Sequence, residues 1–282
     1  MIARNKVVTP IDGPCKNHKI CGFCKGFYME KIELNRYVIK LGSSTVVDEQ
    51  NNARLDVFDN VVRQVSQLID KGFEVAIVTS GAVAFGRKRL GFENGGIVRK
   101  QELAAAGSTK LFSTWARAFE KYNKITVDHL LSEQDVLAIS ENSPKWPILE
   151  ELQSHLFVPI INANDSMNTF ELEQLSISAD NDRLSAFVAR LVQAGNLIML
   201  TEAEGVWDQN KQVIRSIETN HDLERVYVSS KSNQGTGGIE SKIAVATAFA
   251  VGGRSAWITN SENDSILGIA AGKQVGTRIR MS

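Results

Sequence analysis

Five short segments concentrate the residues able to hold an anion close to the backbone. They are Lys40-Leu41-Gly42-Ser43-Ser44, Thr79-Ser80-Gly81-Ala82, Asn162-Ala163-Asn164-Asp165, Thr201-Glu202, and Gly235-Thr236-Gly237-Gly238 with Lys242 four residues further on. Glycine lets a ligand approach the main chain, and the N–H groups at a helix start point toward negative charge. Two glycine turns and two lysines therefore favour a phosphate ligand. Taken singly, each feature has a structural explanation: G-S-S or S-G-A is an ordinary strand-to-helix turn, and Asp180-Asn181-Asp182 is a good N-cap cluster. Lys40 is harder to explain that way, because a lysine closing an apolar strand needs an anionic partner or a route to water. Together, the segments sit repeatedly at strand ends or helix starts, where a parallel α/β sheet binds ligands.

The elements that must position these segments alternate. YVIKL, FEVAIVT, ITVDHLL, FVPIIN, NLIMLT and RSAWIT read as strands, the last being the final long one. Between them, Leu55, Phe58, Val61, Val62, Val65, Leu68 and Ile69 recur at helical spacing up to Lys71-Gly72. RKQELAAAGSTKLFSTWARAFEKY is a long helix with a bend expected at Gly107, and Pro147 to His155 is helical. DNDRLSAFVARLVQAG is expected to be helical from its Asp to its Gly, and a further helix follows the GTGG turn. The fold class is α/β: a three-layer αβα sandwich around a mostly parallel sheet.

Composition sets the outer bounds. The chain has 282 residues, 43% hydrophobic and 23% charged, with 32 basic against 32 acidic side chains, so no general attraction to nucleic acid is expected. No apolar run reaches the ~18–20 residues of a membrane helix and no secretory signal opens the chain, so a cytoplasmic location is expected. Only four histidines occur (His18, His129, His155, His221), and none suggests a histidine base. All three cysteines lie before residue 25, which rules out a disulfide across the body of the fold. Cys15, His18, Cys21 and Cys24 are zinc-ligand types, but ten residues is tight for a tetrahedral cage, and a disordered extension over residues 1–28 is the expected state. Met29 opens what reads as the domain, residues 29–282.

No Walker-type lysine loop and no protein-kinase motif set is present. Instead VIKLGSS, VTSGAVAFGRKRLG, VPIINAND, ADNDRLSAFVARLV, LIMLTEAEGVW and GTGGIESKIAVATAF resemble, in order and spacing, the amino acid kinase family from about Arg36 to Ile279. They are most similar to its branch that phosphorylates free L-glutamate from ATP with Mg2+ at the start of proline biosynthesis. The resemblance implies that Lys40 and Lys242 neutralise the transferring phosphoryl group and that Asp182 orients them, with Asp180 completing an acidic pair. It implies that Ser80, Gly81, Asn162, Asp165 and Asn181 hold the acceptor. Gly42, Ser43 and Ser44 would cradle phosphate, while Thr201, Glu202, Thr236, Gly237, Gly238, Ile239, Glu240, Ser241 and Lys242 would bind nucleotide. It also implies a homo-oligomer (dimer or tetramer) and a reductase that consumes the product. The C-terminal RNA-binding-like domain of many members is not expected here.

Ala163, Ala179 and Glu202 depart from the family pattern, as does the stretch Ser143 to Leu149. Other acceptors of the family (acetylglutamate, a carbamate, a nucleoside or isoprenoid monophosphate) therefore stand as alternatives. So does a non-catalytic amino-acid or nucleotide sensor. For a monophosphate, Arg87, Lys88 and Arg89 are at hand, but three successive positions on a helix cannot all face one pocket.

Overall fold

The computed structural model describes residues 32–92, 95–132, 135–136, 147–166, 181–227 and 238–281. The N-terminal extension with its four candidate zinc ligands, Asp180, Thr236 and Gly237 lie outside these residues.

The elements run β1 (Glu33–Leu41), α1 (Ser43–Val46), α2 (Leu55–Asp70), β2 (Glu74–Thr79), α3 (Ala82–Leu90), α4 (Gly96–Glu120), β3 (Ile125–Leu131), α5 (Pro147–Gln153) and β4 (Phe157–Ala163). They continue with α6 (Asn181–Leu191), β5 (Ala194–Thr201), β6 (Ser216–Ile217), α7 (Asn220–Leu223), α8 (Ile239–Phe249), β7 (Ser255–Asn260), α9 (Ser265–Ala270) and β8 (Thr277–Ile279). One sheet has the order β3-β4-β2-β1-β5-β7-β8-β6, and every pairing is parallel except β7 with β8.

The central strands are apolar on both faces because helices cover both faces. Along β1, Tyr37, Ile39 and Leu41 pack with α2, α3, α4 and α9, while Val38 packs with α5, α6 and α8. This is the expected αβα sandwich. By the period-2 rule of strands, Arg36 and Lys40 stand on the Val38 face, toward α6 and α8.

Two expectations change. The long helix continues unbroken through Gly107, whose glycine serves a crossing: a Cβ there would lie 1.8 Å from Ala82 O, and one at Gly86 would lie 1.9 Å from Leu103 O. Helices α3 and α4 therefore meet backbone to backbone. Second, the helix opening at Asn181 stops at Leu191, Gln193 takes a φ of 57°, and Ala194-Gly195 already belong to β5. A left-handed residue at Gln193 ends this helix before the glycine is reached.

RSAWIT is the last long strand, as expected, and after it the chain adds α9 and the three-residue β8, antiparallel to β7. No helix among the described residues is long and apolar enough to cross a membrane.

Candidate active site

Because β1, β2, β4 and β5 are parallel neighbours, their carboxyl ends share one edge of the sheet, and the loops leaving them converge there. Lys40 is level with Val78 and Met199 in the ladder. Its chain can therefore reach from β1 toward the helices that start above this edge.

Asp182, in the first turn of α6, is 1% exposed and lies between two ammonium groups. Its Oδ1 is 2.5 Å from Lys40 Nζ and its Oδ2 is 3.1 Å from Lys242 Nζ. Lys40 comes from β1 and Lys242 from the first turns of α8, so three elements supply one charge cluster. The Lys40 side chain is 5% exposed and that of Lys242 is 16% exposed, so the cluster is open to solvent on the Lys242 side. The Lys40 ammonium also sits over the turn that follows β1: a Cβ built on Gly42 would be 3.5 Å from it.

Beside this cluster is a polar network. Asn181 donates from Nδ2 to Ser80 Oγ at 2.8 Å and to Asn162 Oδ1 at 3.3 Å. Asn162 Oδ1 also accepts from the Ala163 N–H at 2.9 Å. Ser80 is tied to β1 as well, its N–H donating to Leu41 O at 3.1 Å. The Oδ1 of Asn181 is buried and has no hydrogen-bond partner among the described residues.

Gly81 follows with a φ of 116°, and a Cβ there would come within 2.9 Å of Val46 Cγ2, so only glycine suits the turn into α3. Among the sequence-predicted residues, the structure thus joins Lys40, Asp182 and Lys242 in one cluster, and Ser80, Asn162 and Asn181 in one network.

Others are placed differently. Ser43 and Ser44 are exposed on α1. Asp165 lies half-buried in the turn after β4. Thr201 directs its hydroxyl into its own loop, donating to Ala203 O at 2.9 Å and accepting from the Ala203 N–H at 3.2 Å, and Glu202 is exposed. Gly238 caps α8, Ile239 and Ser241 are half-buried in its first turn, and Glu240 is exposed. Among the described residues no group of three or more His, Cys, Asp or Glu could hold a metal ion.

Thr79 and Trp115 join the polar network from behind. The Trp115 indole donates to Thr79 Oγ1, and a tryptophan on an apolar helix face gives no sequence signal of such a role.

The profile of the amino acid kinase family matches residues 35–260. The chain belongs to the amino acid kinase family. It is similar to the glutamate 5-kinase of Caldanaerobacter subterraneus subsp. tengcongensis, 34% identical over 252 residues that cover 86% of this chain and 67% of that protein. It is also similar to the glutamate 5-kinase of Lactococcus lactis subsp. lactis (strain IL1403), 32% identical over 259 residues covering 87% and 95% of the two chains. Among solved structures, UMP kinase from Bacillus anthracis aligns with a TM-score of 0.58 at 16% identity, covering 87% of this chain and 96% of its own. The isopentenyl phosphate kinase of T. acidophilum aligns with a TM-score of 0.56 at 16% identity, covering 87% and 100%. At that identity the two structures establish the shared fold.

Proposed function

We propose that this amino acid kinase family member transfers the γ-phosphoryl group of ATP to the γ-carboxylate of L-glutamate, giving L-glutamyl 5-phosphate and ADP as the first step of proline biosynthesis. The observation that carries the reading is the clasp of Lys40 and Lys242 on Asp182 beside the Ser80–Asn181–Asn162 network. In this reaction a carboxylate oxygen attacks the γ-phosphorus while the bond from that phosphorus to the β–γ bridging oxygen breaks, and the electron pair leaves with ADP. A glutamate side chain with a pKa of about 4.3 is already ionised at neutral pH, so no general base is required. What the protein must supply is alignment and positive charge on the phosphoryl oxygens.

Lys40 and Lys242, held apart and oriented by Asp182, would supply that charge. The Gly42–Ser44 backbone and the Gly238 turn would cradle the phosphates. Ser80, Gly81, Asn162, Asp165 and Asn181 would hold the amino acid, with the Oδ1 of Asn181 and the Asp165 carboxylate suited to an ammonium. Thr201, Glu202 and residues 236–242 would contact the nucleotide. Mg2+ would enter with ATP, neutralising phosphate charge. Asp182 is committed to two lysines, so the cation would be held mainly by phosphate oxygens. The product, a mixed anhydride, is labile in water and calls for a reductase to consume it.

Trapping with hydroxylamine tests the proposal. Glutamate should yield a hydroxamate in step with ADP release, far faster than acetylglutamate or UMP yields product. Acetylglutamate lacks the ammonium, so it would forgo the contact that Asp165 and the Asn181 Oδ1 offer to free glutamate. Preference for acetylglutamate or a monophosphate would overturn the acceptor assignment, and no ADP with any acceptor would overturn the kinase assignment.

A further inference from the structure

Ser80 is held by three different parts of the molecule. Its N–H donates to Leu41 O, its Oγ accepts from Asn181, and its carbonyl accepts from the Thr79 hydroxyl at 3.2 Å. Thr79 in turn accepts from Trp115 Nε1 at 3.2 Å. Both Thr79 and Trp115 are fully buried, on β2 and α4.

A hydroxyl has one proton, and an indole N–H can only donate. With Trp115 donating to it, the Thr79 hydroxyl must send its own proton elsewhere, and Ser80 O is the acceptor in reach. In a trans peptide, the Ser80 carbonyl and the Gly81 N–H point in opposite directions. Anchoring the carbonyl toward the core therefore turns the Gly81 N–H, and the start of α3, away from the core. Removing the indole donor frees the hydroxyl to rotate and releases the carbonyl.

We infer that Trp115 and Thr79 are positioning residues: a buried relay that sets the Ser80–Gly81 peptide and, through it, affinity for the acceptor. The identity of that acceptor rests on the glutamate reading above, whereas the relay itself does not. A buried indole N–H needs some acceptor in any fold. What singles this one out is that its acceptor in turn donates a hydrogen bond to the residue that also holds Asn181. Trp115 touches neither Lys40 nor Asn181 through any described bond and acts through Thr79.

The test uses Trp115→Phe, Thr79→Val, the double variant and Thr79→Ser in the full chain. Phenylalanine keeps ring packing against Phe58 and Phe119, whose centroids lie 4.4 and 6.2 Å from that of Trp115. Kinetics with glutamate and ATP are paired with amide exchange of the peptide spanning Ser80 to Phe85. Trp115→Phe and Thr79→Val should each raise the KM for the acceptor roughly three- to tenfold, the scale of one hydrogen bond, with the KM for ATP unchanged. The double variant should be no worse than the worse single, exchange at Ser80–Phe85 should quicken in all three, and Thr79→Ser should restore both readouts. The relay is refuted by variants that lower Tm yet leave both readouts at wild-type values, by additive effects in the double variant, or by Thr79→Ser behaving like Thr79→Val. A wild-type enzyme that ignores glutamate would remove the acceptor assignment, while the exchange measurement would still decide the relay.

Discussion

Arg36 and Lys40 stand four residues apart on one face of β1, 3% and 4% exposed, and they are satisfied in different ways. Arg36, at the amino end of the sheet, meets Glu74 Oε2 at 2.5 Å across the β1–β2 ladder and donates from Nη1 to Val192 O. One fork meets one carboxylate and one carbonyl. Lys40, at the carboxyl end, meets a carboxylate from the start of α6 that is shared with a second lysine from α8. Burial of a cation is costly at either end, and in both places a partner offsets it. The difference lies in what the pairing can do next: a closed fork joins neighbouring strands, whereas two ammonium groups held on one carboxylate beside a glycine turn can bear on a phosphoryl group. The amino end holds the fold, and on the proposed reading the carboxyl end carries the chemistry.

Substitutions at the two ends should separate these roles. Asp182→Ala should have the largest effect, because it leaves two ammonium groups without the carboxylate that holds them. Turnover should fall by two orders of magnitude or more, and stability by about 3–5 kcal/mol, read by steady-state kinetics and urea unfolding. Arg36→Met should cost about 3 kcal/mol in the same unfolding experiment, with kcat and both KM values unchanged well below Tm. A matching loss of turnover would erase the distinction between the two ends.

Gly81→Ala lies between them in kind. A φ of 116° and a contact with Val46 should lower stability by about 1–3 kcal/mol and raise the KM for the acceptor together. Asn181→Ala should raise the KM for glutamate roughly tenfold, leaving that for ATP in place, since it removes one donor and one acceptor from the acceptor side alone.

The smallest effect belongs to β3, at the sheet edge away from both clusters. Asp128 is exposed at the surface of β3, and partial desolvation raises its carboxyl pKa from the ordinary value, with the neighbouring His129 offsetting this in part. A raised carboxyl pKa means that the folded state holds the proton more tightly than the unfolded chain. Its stabilising effect is therefore fully present below the unfolded pKa and is lost as pH rises through the folded pKa. Asp128→Asn should raise Tm slightly at pH 7, and the gain should vanish below about pH 4.

How far the sequence alone leads follows the same division. Lys40 stands out because a lysine ending an apolar strand must find an anion, and the structure supplies Asp182. Arg36 gives no such signal: at the start of a strand a charged residue reads as solvent-exposed, and only the ladder shows that Glu74 and Val192 close over it. The αβα order is legible because long amphipathic helices alternate with apolar runs. The end of α6 is not, since a left-handed Gln193 breaks a helix without a glycine. Helix α9 has six residues and β8 three, too short to establish a period, and β8 exists only because it pairs with β7 on one side and β6 on the other. Trp115 looks like core because it is core. Its hydrogen bond to Thr79 depends on how α4 crosses the end of β2, and tertiary geometry of that kind leaves no trace in spacing.

The central claim is that the Lys40–Asp182–Lys242 cluster acts on the phosphoryl group in flight, and a single-turnover experiment with Lys242→Ala addresses it most directly. Enzyme in excess over labelled ATP, at saturating glutamate, is quenched over time to give the rate of the chemical step itself. The account predicts a rate at least about 100-fold below wild type, with ATP affinity within about threefold, because charge that strengthens in the transition state governs chemistry more than binding. A single-turnover rate close to wild type, or a defect confined to ATP affinity, would contradict it.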